Sequence, residues 1–222
     1  RSGVEAESVF VLLQLSAEVA VAGCRSTTDN GKALHEQIWT SDSIYQPEAP
    51  LLLLTDWEDD GNGGASPLPR SLIQIGMAPL NMSYYINPSG ERYSQLFKHE
   101  YTHIVMTDKY NRRDLNWRRF FGTKVDTDNS QPISALWSFL SVPRWYSPRW
   151  YHEGIACFME TWLGGGVGRA LGGYDEMYFR SIIDGGEKLY SVVGLETEGS
   201  TMDFQVGANA YLYGTRFVNY LT

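Results

Sequence analysis

The stretch His99-Glu100-Tyr101-Thr102-His103, near the middle of the chain, decides which fold and chemistry we expect. On a helix, positions i and i+4 lie on one face, so both imidazoles can reach a single zinc ion at about 2.0–2.1 Å. Glu100 lies beside them and can take a proton from an attacking water and hand it to a leaving amine. Zinc lowers the pKa of such a water towards about 7. The stretch therefore predicts a zinc site with Glu100 as its general base.

The residues around this stretch favour a helix from about Glu91 to Asp108. Asn87-Pro88-Ser89-Gly90 marks a stop before it. One side of that helix is expected to carry Leu96, His99, His103 and Thr107. The alternative is an exposed helix with two histidines of no special role. Chance is a weak explanation, because a chain with only four histidines should match the motif by accident in roughly one case in two hundred.

A catalytic zinc needs a third protein ligand and an open fourth position. The longer motif with a third histidine is absent, since Met106 and Lys109 stand where its later residues would be. The candidate is Glu153, in the segment Trp150-Tyr151-His152-Glu153-Gly154-Ile155-Ala156. This segment is expected to start a second helix, whose first turn can be brought against the first helix.

Three other residues compete with Glu153 as the third ligand: His152, Cys157 and Glu160. His152 is adjacent to Glu153 and is expected to point elsewhere on the helix. Cys157 shares a face with Glu153, and we interpret it as a small apolar filler behind the site. Glu160 is either a hydrogen-bond acceptor for a ligand histidine or a solvated carboxylate.

Composition places the chain among globular proteins and excludes some functions. It has 222 residues, of which 43% are hydrophobic and 20% charged. The formal net charge of −8 argues against nucleic acid as a partner, since phosphate binding rests on clustered Lys and Arg. No run of 18 apolar residues exists, so we expect no membrane-spanning segment. The cysteines, Cys24 and Cys157, could form one bond, but we favour two buried thiols.

The coarse secondary structure indicates an α+β fold, with strands first and helices afterwards. Strands are expected at Leu51–Thr55 and Ser71–Ile75, on either side of a turn cluster at Asp59–Gly64. Residues Ala33 to Ile44 have helix-compatible composition, and a long irregular stretch is expected from Tyr110 to Gln131. Further helices are expected at 150–162, 174–183 and 208–222. The last has no stop signal, so we expect residues 50–222 to be a domain cut from a longer chain.

The pairing of His99-Glu100-x-x-His103 with Trp150-x-x-Glu153-Gly154-x-Ala156 resembles the gluzincin metallopeptidases. Aminopeptidase N relatives carry a similar Trp-x-x-Glu-Gly-x-Ala helix, whose Glu binds zinc. The pattern is most similar to bacterial peptidase MA-like domains, which often precede another extracytoplasmic module. The likeness extends to Asn62–Pro69 and to Ala210-Tyr211-Leu212-Tyr213-Gly214, and residues 1–49 remain unassigned. Glu153 lies 50 residues after His103, a longer spacing than in the aminopeptidases.

The resemblance implies a thermolysin-like zincin domain, with a small N-terminal sheet on the HExxH helix and a helical subdomain after it. It implies Zn²⁺ bound by His99, His103 and Glu153, and a peptide or protein as substrate. It assigns Tyr211 as hydrogen-bond donor to the oxyanion, with Tyr213 as the rival. It also implies an extracytoplasmic location in a bacterium and a possible C-terminal module in the full-length protein.

An edge strand between Gly61 and Ile75 could pair with an extended substrate, or be a plain hairpin. Two other functions stay open: a catalytically silent zincin-fold module for surface binding or assembly, and a zinc hydrolase of a non-peptide amide or ester. The chain lacks a Gly-x-Met-Glu-Asn-type strand that would hold a substrate's free amine, which favours endopeptidase over aminopeptidase activity.

Overall fold

The computed structural model describes residues 13–14, 50–57, 61–78, 92–166, 168–196 and 208–222. Four expectations lie wholly or partly outside these residues: the helix at Ala33–Ile44, the state of Cys24, the stop at Asn87–Gly90, and the turn cluster at Asp59 and Asp60. Cys157 is buried and forms no disulfide within the described part of the chain.

A small mixed sheet forms the N-terminal part. Its strands are β1 (Leu13–Gln14), β2 (Leu51–Thr55), β3 (Gly63–Ser66) and β4 (Leu72–Gly76), in the order β1-β2-β4-β3. β2 runs parallel to β4, with Leu51 opposite Leu72, whereas β3 runs antiparallel to β4, with Gly63 opposite Ile75. The apolar runs expected at 51–55 and 71–75 are thus confirmed as strands, and β3 is one of the two outer strands of the described sheet.

The sheet packs on helix α1 (Arg92–Asp108), which carries the HExxH segment. Their shared core consists of the buried side chains Leu52, Ile73, Ile75 and Ile104. β3 passes close to α1, since a Cβ at Gly63 would lie 3.0 Å from the Leu96 side chain. The sheet therefore fixes the height of β3 above the face of α1 that carries the histidines.

Two long helices form the centre of the C-terminal part: α4 (Arg149–Leu163) and α7 (Asn209–Leu221). They cross where Gly154 meets Gly214. A Cβ on Gly214 would overlap the backbone carbonyl of Trp150 and lie 2.9 Å from the Gly154 Cα. α4 also packs against α1, so it links the sheet-bearing part to the helical part. The helices expected at 150–162 and 208–222 are confirmed within a residue or two.

The expectation of an irregular stretch from Tyr110 to Gln131 is wrong, because residues Arg112–Phe121 form helix α2. Asn111 caps it, accepting hydrogen bonds from the backbone of Arg113 and Asp114, and Asp114 accepts one back from the Asn111 backbone. Gly122 ends it in a left-handed conformation (φ 76°). This reciprocal cap stabilises a short helix in which six of the ten residues are polar.

The remaining helices complete an α+β fold. They are α3 (Ile133–Ser141), α5 (Gly173–Asp184) and α6 (Val192–Glu196), with 3₁₀ turns at Pro143–Tyr146 and Arg169–Leu171. Pro143 starts one 3₁₀ turn and Pro148 precedes α4, as their fixed φ angles favour. None of the helices in the described ranges combines the length and apolar character that crossing a bilayer requires.

Candidate metal centre

α1 presents His99 and His103 one turn apart on a face that lines a cleft of about 460 Å³. Leu96 and Thr107 line the same cleft, so the predicted side of the helix is confirmed. His99 is only 3% exposed, whereas the edge of the His103 ring reaches the cleft. Local helix geometry alone brings these two imidazoles together, because i and i+4 always share a face.

Glu153 reaches the same point from the first turns of α4. Its Oε2 atom lies 3.2 Å from His99 Nε2 and 3.3 Å from His103 Nε2, and the two Nε2 atoms are 3.1 Å apart. Burial opposes ionisation of Glu153, but hydrogen bonds to His103 and His99 hold the pKa of its carboxyl below the ordinary value. Three side chains from two helices thus converge on one small triangle.

The size of this triangle matches a four-coordinate metal ion. Ligand atoms about 2.0–2.1 Å from a tetrahedral zinc ion are separated from one another by about 3.3 Å. The observed separations of 3.1–3.3 Å fall close to that value. Two imidazole nitrogens and one carboxylate oxygen also form a donor set that divalent transition metals accept. The residues present therefore fit a metal ion.

A buried carboxylate orients His99 from behind. His99 Nδ1 lies 2.8 Å from Glu160 Oε2, and the tautomer that donates this hydrogen bond leaves the Nε2 lone pair facing the triangle. Arg169 donates to both oxygens of Glu160, from Nε and Nη2, each at 2.6 Å. Burial alone would raise the pKa of Glu160, but Arg169 and His99 lower it to about 2. Glu160 is thus a buried anion that accepts a hydrogen bond from the candidate ligand His99. This is the first of the two roles expected for it from the sequence.

His99, Cys157 and Glu160 form a second group whose atoms lie close enough for a metal. Arg169 Nη2 lies 2.8 Å from His99 Nδ1 and 2.6 Å from Glu160 Oε2, so a guanidinium already occupies this position. A second cation there would be repelled at short range. Cys157 is fully buried behind His99, in line with the filler interpretation.

Glu100 lines the cleft beside the histidines and is 5% exposed. Burial raises the pKa of its carboxyl, and His99 and His103 offset part of this effect. A buried carboxylate with a raised pKa is a stronger base than one in water, which suits a group that must both accept and return a proton.

Tyr211, on α7, lines the cleft from the other side. Its ring stacks near that of His99, with centroids 6.1 Å apart, and the Arg169 guanidinium lies 5.3 Å from its centroid. Tyr213 packs instead among Tyr178, Phe179 and Tyr190, and its hydroxyl accepts a hydrogen bond from the Tyr190 backbone. Of the two tyrosines weighed from the sequence, only Tyr211 faces the candidate metal centre.

His152 lies where the sequence did not predict it. We expected it to point elsewhere on α4, yet it lines the cleft, and its ring centroid is 6.3 Å from that of His103. Burial lowers the pKa of His152, and the neighbouring His103 lowers it further. The cleft wraps around the start of α4, so adjacent helix positions both face it. The expectation assumed that only one face of α4 borders the cleft, and it fails for His152.

β3 forms one wall of the cleft through Asn62, Gly63, Gly64 and Ala65. A Cβ on Gly64 would meet nothing within 4 Å, so the backbone on this side is accessible. Arg92 holds the strand ends in place by donating to the carbonyl oxygens of Gly61 and Gly76. An extended chain in the cleft would therefore run beside a fixed, open strand edge.

No family model, curated protein or solved structure matches this chain. The likeness to the gluzincins therefore rests on the segments His99–His103 and Trp150–Ala156 and on the shorter stretches at Asn62–Pro69 and Ala210–Gly214.

Proposed function

We propose that this chain is a zinc-dependent peptidase of the gluzincin type, with His99, His103 and Glu153 as the zinc ligands. The observation that carries this proposal is the triangle of His99 Nε2, His103 Nε2 and Glu153 Oε2, whose sides are 3.1–3.3 Å. It lies in an accessible cleft with a buried carboxylate, Glu100, beside it. A structural zinc site would be closed by four protein ligands, whereas three ligands facing a cleft leave a position for substrate.

Zinc bound at this triangle would polarise the scissile carbonyl and favour ionisation of the attacking water. Glu100 takes the proton of that water and later delivers it to the leaving amine. General acid–base catalysis of this kind contributes about 10²- to 10⁴-fold in rate. The Tyr211 hydroxyl donates a hydrogen bond to the carbonyl oxygen as negative charge develops there, because a phenol held at the cleft wall needs little reorganisation.

The proposed substrate is an extended peptide segment. β3 is one of the two outer strands of the described sheet and runs along the cleft, so its free edge can pair with a peptide backbone by strand addition. Pairing of this kind holds main-chain atoms in register and is tolerant of side-chain identity. The combination of a small sheet on α1 and a helical part that supplies Glu153 also supports the proposed thermolysin-like arrangement.

Metal analysis of the purified chain tests the ligand set, with Glu153→Ala and Glu100→Gln compared against Glu196→Ala. Glu196 is an exposed carboxylate that also lines the cleft, so it controls for charge. We expect stoichiometric zinc in the wild type, Glu100→Gln and Glu196→Ala, and loss of zinc from Glu153→Ala. Tightly held, stoichiometric zinc in Glu153→Ala would show that Glu153 is not the third ligand.

Cleavage of a quenched-fluorescence peptide library tests the reaction. We expect Glu100→Gln to retain zinc and to cleave about 10²- to 10⁴-fold more slowly. If the zinc-loaded wild type cleaves no peptide but hydrolyses non-peptide amides or esters, the peptidase proposal is wrong and the zinc hydrolase remains. If it hydrolyses neither class, the site belongs to a catalytically silent module.

A further inference from the structure

Helix α3 is amphipathic, but its polar side faces the protein and its apolar side faces outwards. Its buried residues are Ser134, Ser138 and Ser141, spaced i, i+4 and i+7 along one face. Three of its large apolar side chains point outwards, since Ile133 is 48% exposed, Leu136 52% and Phe139 44%, whereas Trp137 and Leu140 are half-buried. A soluble surface helix normally shows the reverse pattern, so this outward face is suited to contact something other than water.

The outward face of α3 continues onto its neighbours through ring contacts. Phe121 on α2 lies 5.8 Å from Trp137, and Phe120, 75% exposed, lies 5.1 Å from Phe121. On the other side Phe139 contacts Tyr146 at 5.7 Å. We name this surface the aromatic face and define it by six exposed residues: Phe120, Ile133, Leu136, Phe139, Trp145 and Tyr146.

The segment that carries the aromatic face is basic, although the whole chain is acidic. Residues 109–149 contain eight Lys or Arg and three Asp, and no Glu. The chain as a whole has 18 basic and 26 acidic residues, so this segment is positive against a negative remainder. Arg112, Arg113 and Arg119 on α2 are all exposed. Positive charge and apolar surface thus occur together in one part of the molecule.

A basic cavity of about 540 Å³ opens at the end of α2, where Gly122 and Thr123 line it. Arg118, Arg119 and Lys124 line it, against a single carboxylate, that of Asp108. Arg118 and Lys124 both pair with Asp108, at 2.8 and 3.3 Å, and Arg119 is the exposed cation of the lining, so the cavity carries a net positive charge that favours an anionic group.

We propose that the aromatic face and its arginines bind the surface of an anionic lipid bilayer. A bilayer surface presents phosphates above an apolar layer, which matches arginines beside Phe, Leu, Ile and Trp side chains. Aromatic residues favour this interfacial zone because their rings are apolar with a polar or polarisable edge. The helices lie on the bilayer in this arrangement and do not cross it.

Docking in this way would hold the cleft near the bilayer surface, because Trp145 belongs both to the aromatic face and to the cleft wall. The proposal uses none of the candidate zinc ligands, so it stands or fails independently of the peptidase function.

Vesicle co-sedimentation of the purified chain tests the proposal, with vesicles of phosphatidylcholine alone and of phosphatidylcholine mixed equally with phosphatidylglycerol. We expect binding to the anionic vesicles that weakens as salt is raised. Leu136→Glu/Phe139→Glu should reduce the partition coefficient at least about tenfold. Neutralising Arg112, Arg113 and Arg119 with Gln should reduce it by about fivefold per residue.

The matched control is Met177→Glu/Ile183→Glu, which places two carboxylates at exposed apolar positions of α5. It should bind vesicles as the wild type does. Phe120→Ser serves as a second test variant, because a side chain that is 75% exposed is not needed for folding. Melting temperature and zinc content are measured for every variant.

Five results would overturn the proposal, four from binding and association and one from stability. The first is no binding to anionic vesicles at low salt, and the second is an equal loss of binding in the control variant. The third is unchanged binding in both Leu136→Glu/Phe139→Glu and Phe120→Ser. The fourth is a concentration-dependent dimer that Leu136→Glu/Phe139→Glu dissociates. This fourth result would show that a second copy of the chain covers the face. A large fall in melting temperature for both aromatic-face variants would likewise show that the chain itself covers it.

Discussion

Glu160 is the residue on which the orientation of His99 depends most directly. It accepts from His99 Nδ1 at 2.8 Å and is held in turn by two hydrogen bonds from Arg169. Such partners fix the tautomer and ring orientation of a ligand histidine, and their loss typically weakens metal binding about 10- to 100-fold. We therefore expect Glu160→Gln to lower zinc affinity within that range, as measured by competition with a chelator.

Glu176→Gln is the matched control for this change. Glu176 also pairs with two arginines, Arg180 and Arg216, but it is exposed at the surface and does not belong to the candidate metal centre. It should leave zinc affinity unchanged. Equal zinc affinity in Glu160→Gln and the wild type would contradict an orienting role for Glu160.

Asp175 should make stability depend on pH. It is 5% exposed in the first turn of α5, and burial raises its pKa to about 6, with Arg216 and Arg169 offsetting part of the effect. A carboxyl whose folded-state pKa exceeds its unfolded value stabilises the fold below pH ~4 and loses that contribution as pH rises through about 6. The shift corresponds to at most about 3 kcal/mol.

Asp175→Asn removes this titration and keeps the side-chain shape. The variant should match the wild type near pH 4 and exceed its free energy of unfolding by up to about 3 kcal/mol at pH 7. Urea titrations across this range measure the difference, with Asp184→Asn at the exposed end of the same helix as control. A difference that stays constant with pH would show that Asp175 is not the cause.

At the residue scale, the sequence predicted that His99, His103 and Glu153 converge, and their role as zinc ligands stays a prediction. His99 and His103 follow from helix periodicity, and Glu153 from the need for a third ligand. Arg169 had no such signal, because it lies in a 3₁₀ turn after a run of glycines and reaches Glu160 only through the tertiary fold. His152 was placed wrongly because the curvature of the cleft is a property of the assembled helices.

At the scale of elements, the crossing of α4 and α7 positions both Glu153 and Tyr211. Gly214 contacts the α4 backbone so closely that Gly214→Ala must push the helices apart. We expect a loss of roughly 3 kcal/mol in the free energy of unfolding, since overpacking against rigid backbone is not easily relaxed. Zinc affinity should fall as well, because Gly154, beside Glu153, lies at the same crossing. Thermal melts and metal titrations measure the two effects.

Gly173→Ala is the control for this prediction, because a Cβ at Gly173 would meet nothing within 4 Å. It should leave both quantities nearly unchanged. A Gly214→Ala variant as stable as the wild type would mean that the two helices do not approach as closely as described.

Elements were predictable where apolar periodicity is strong and missed where capping replaces it. α1, α4, α5 and α7 all fall close to their expected ranges. α2 was missed because six of the ten residues in RRDLNWRRFF are polar, and its bounds are set by the caps at Asn111, Asp114 and Gly122. The cap could have been found, since Asn-x-x-Asp followed by a later Gly is a helix boundary signal.

At the scale of the whole molecule, the candidate metal centre joins two parts of the fold. His99 and His103 belong to the helix on which the sheet packs, and Glu153 belongs to the helical part. A metal ion bound there would bind the folded state alone, and at a free concentration one hundred times its Kd would add about 2.7 kcal/mol of stability.

Removing the metal should therefore lower the melting temperature by roughly 5–10 °C, given the usual response of chains of this size. Calorimetry with increasing chelator, followed by zinc addition, measures the loss and its recovery. Glu153→Ala should melt at one temperature with or without chelator. A wild type that shows no chelator effect would contradict a metal shared between the two parts.

α3 has one more consequence, which concerns local opening. Two of its three inward serines accept hydrogen bonds from the backbone: Ser134 from Asp128 at 2.7 Å and Ser141 from Val125 at 3.1 Å. Hydroxyl contacts bury little apolar area, so they hold a helix less firmly than the packing that secures α4. Amide hydrogens of α3 should therefore exchange with deuterium well before those of α4, by detachment of the helix without global unfolding. Anionic vesicles should slow that exchange selectively.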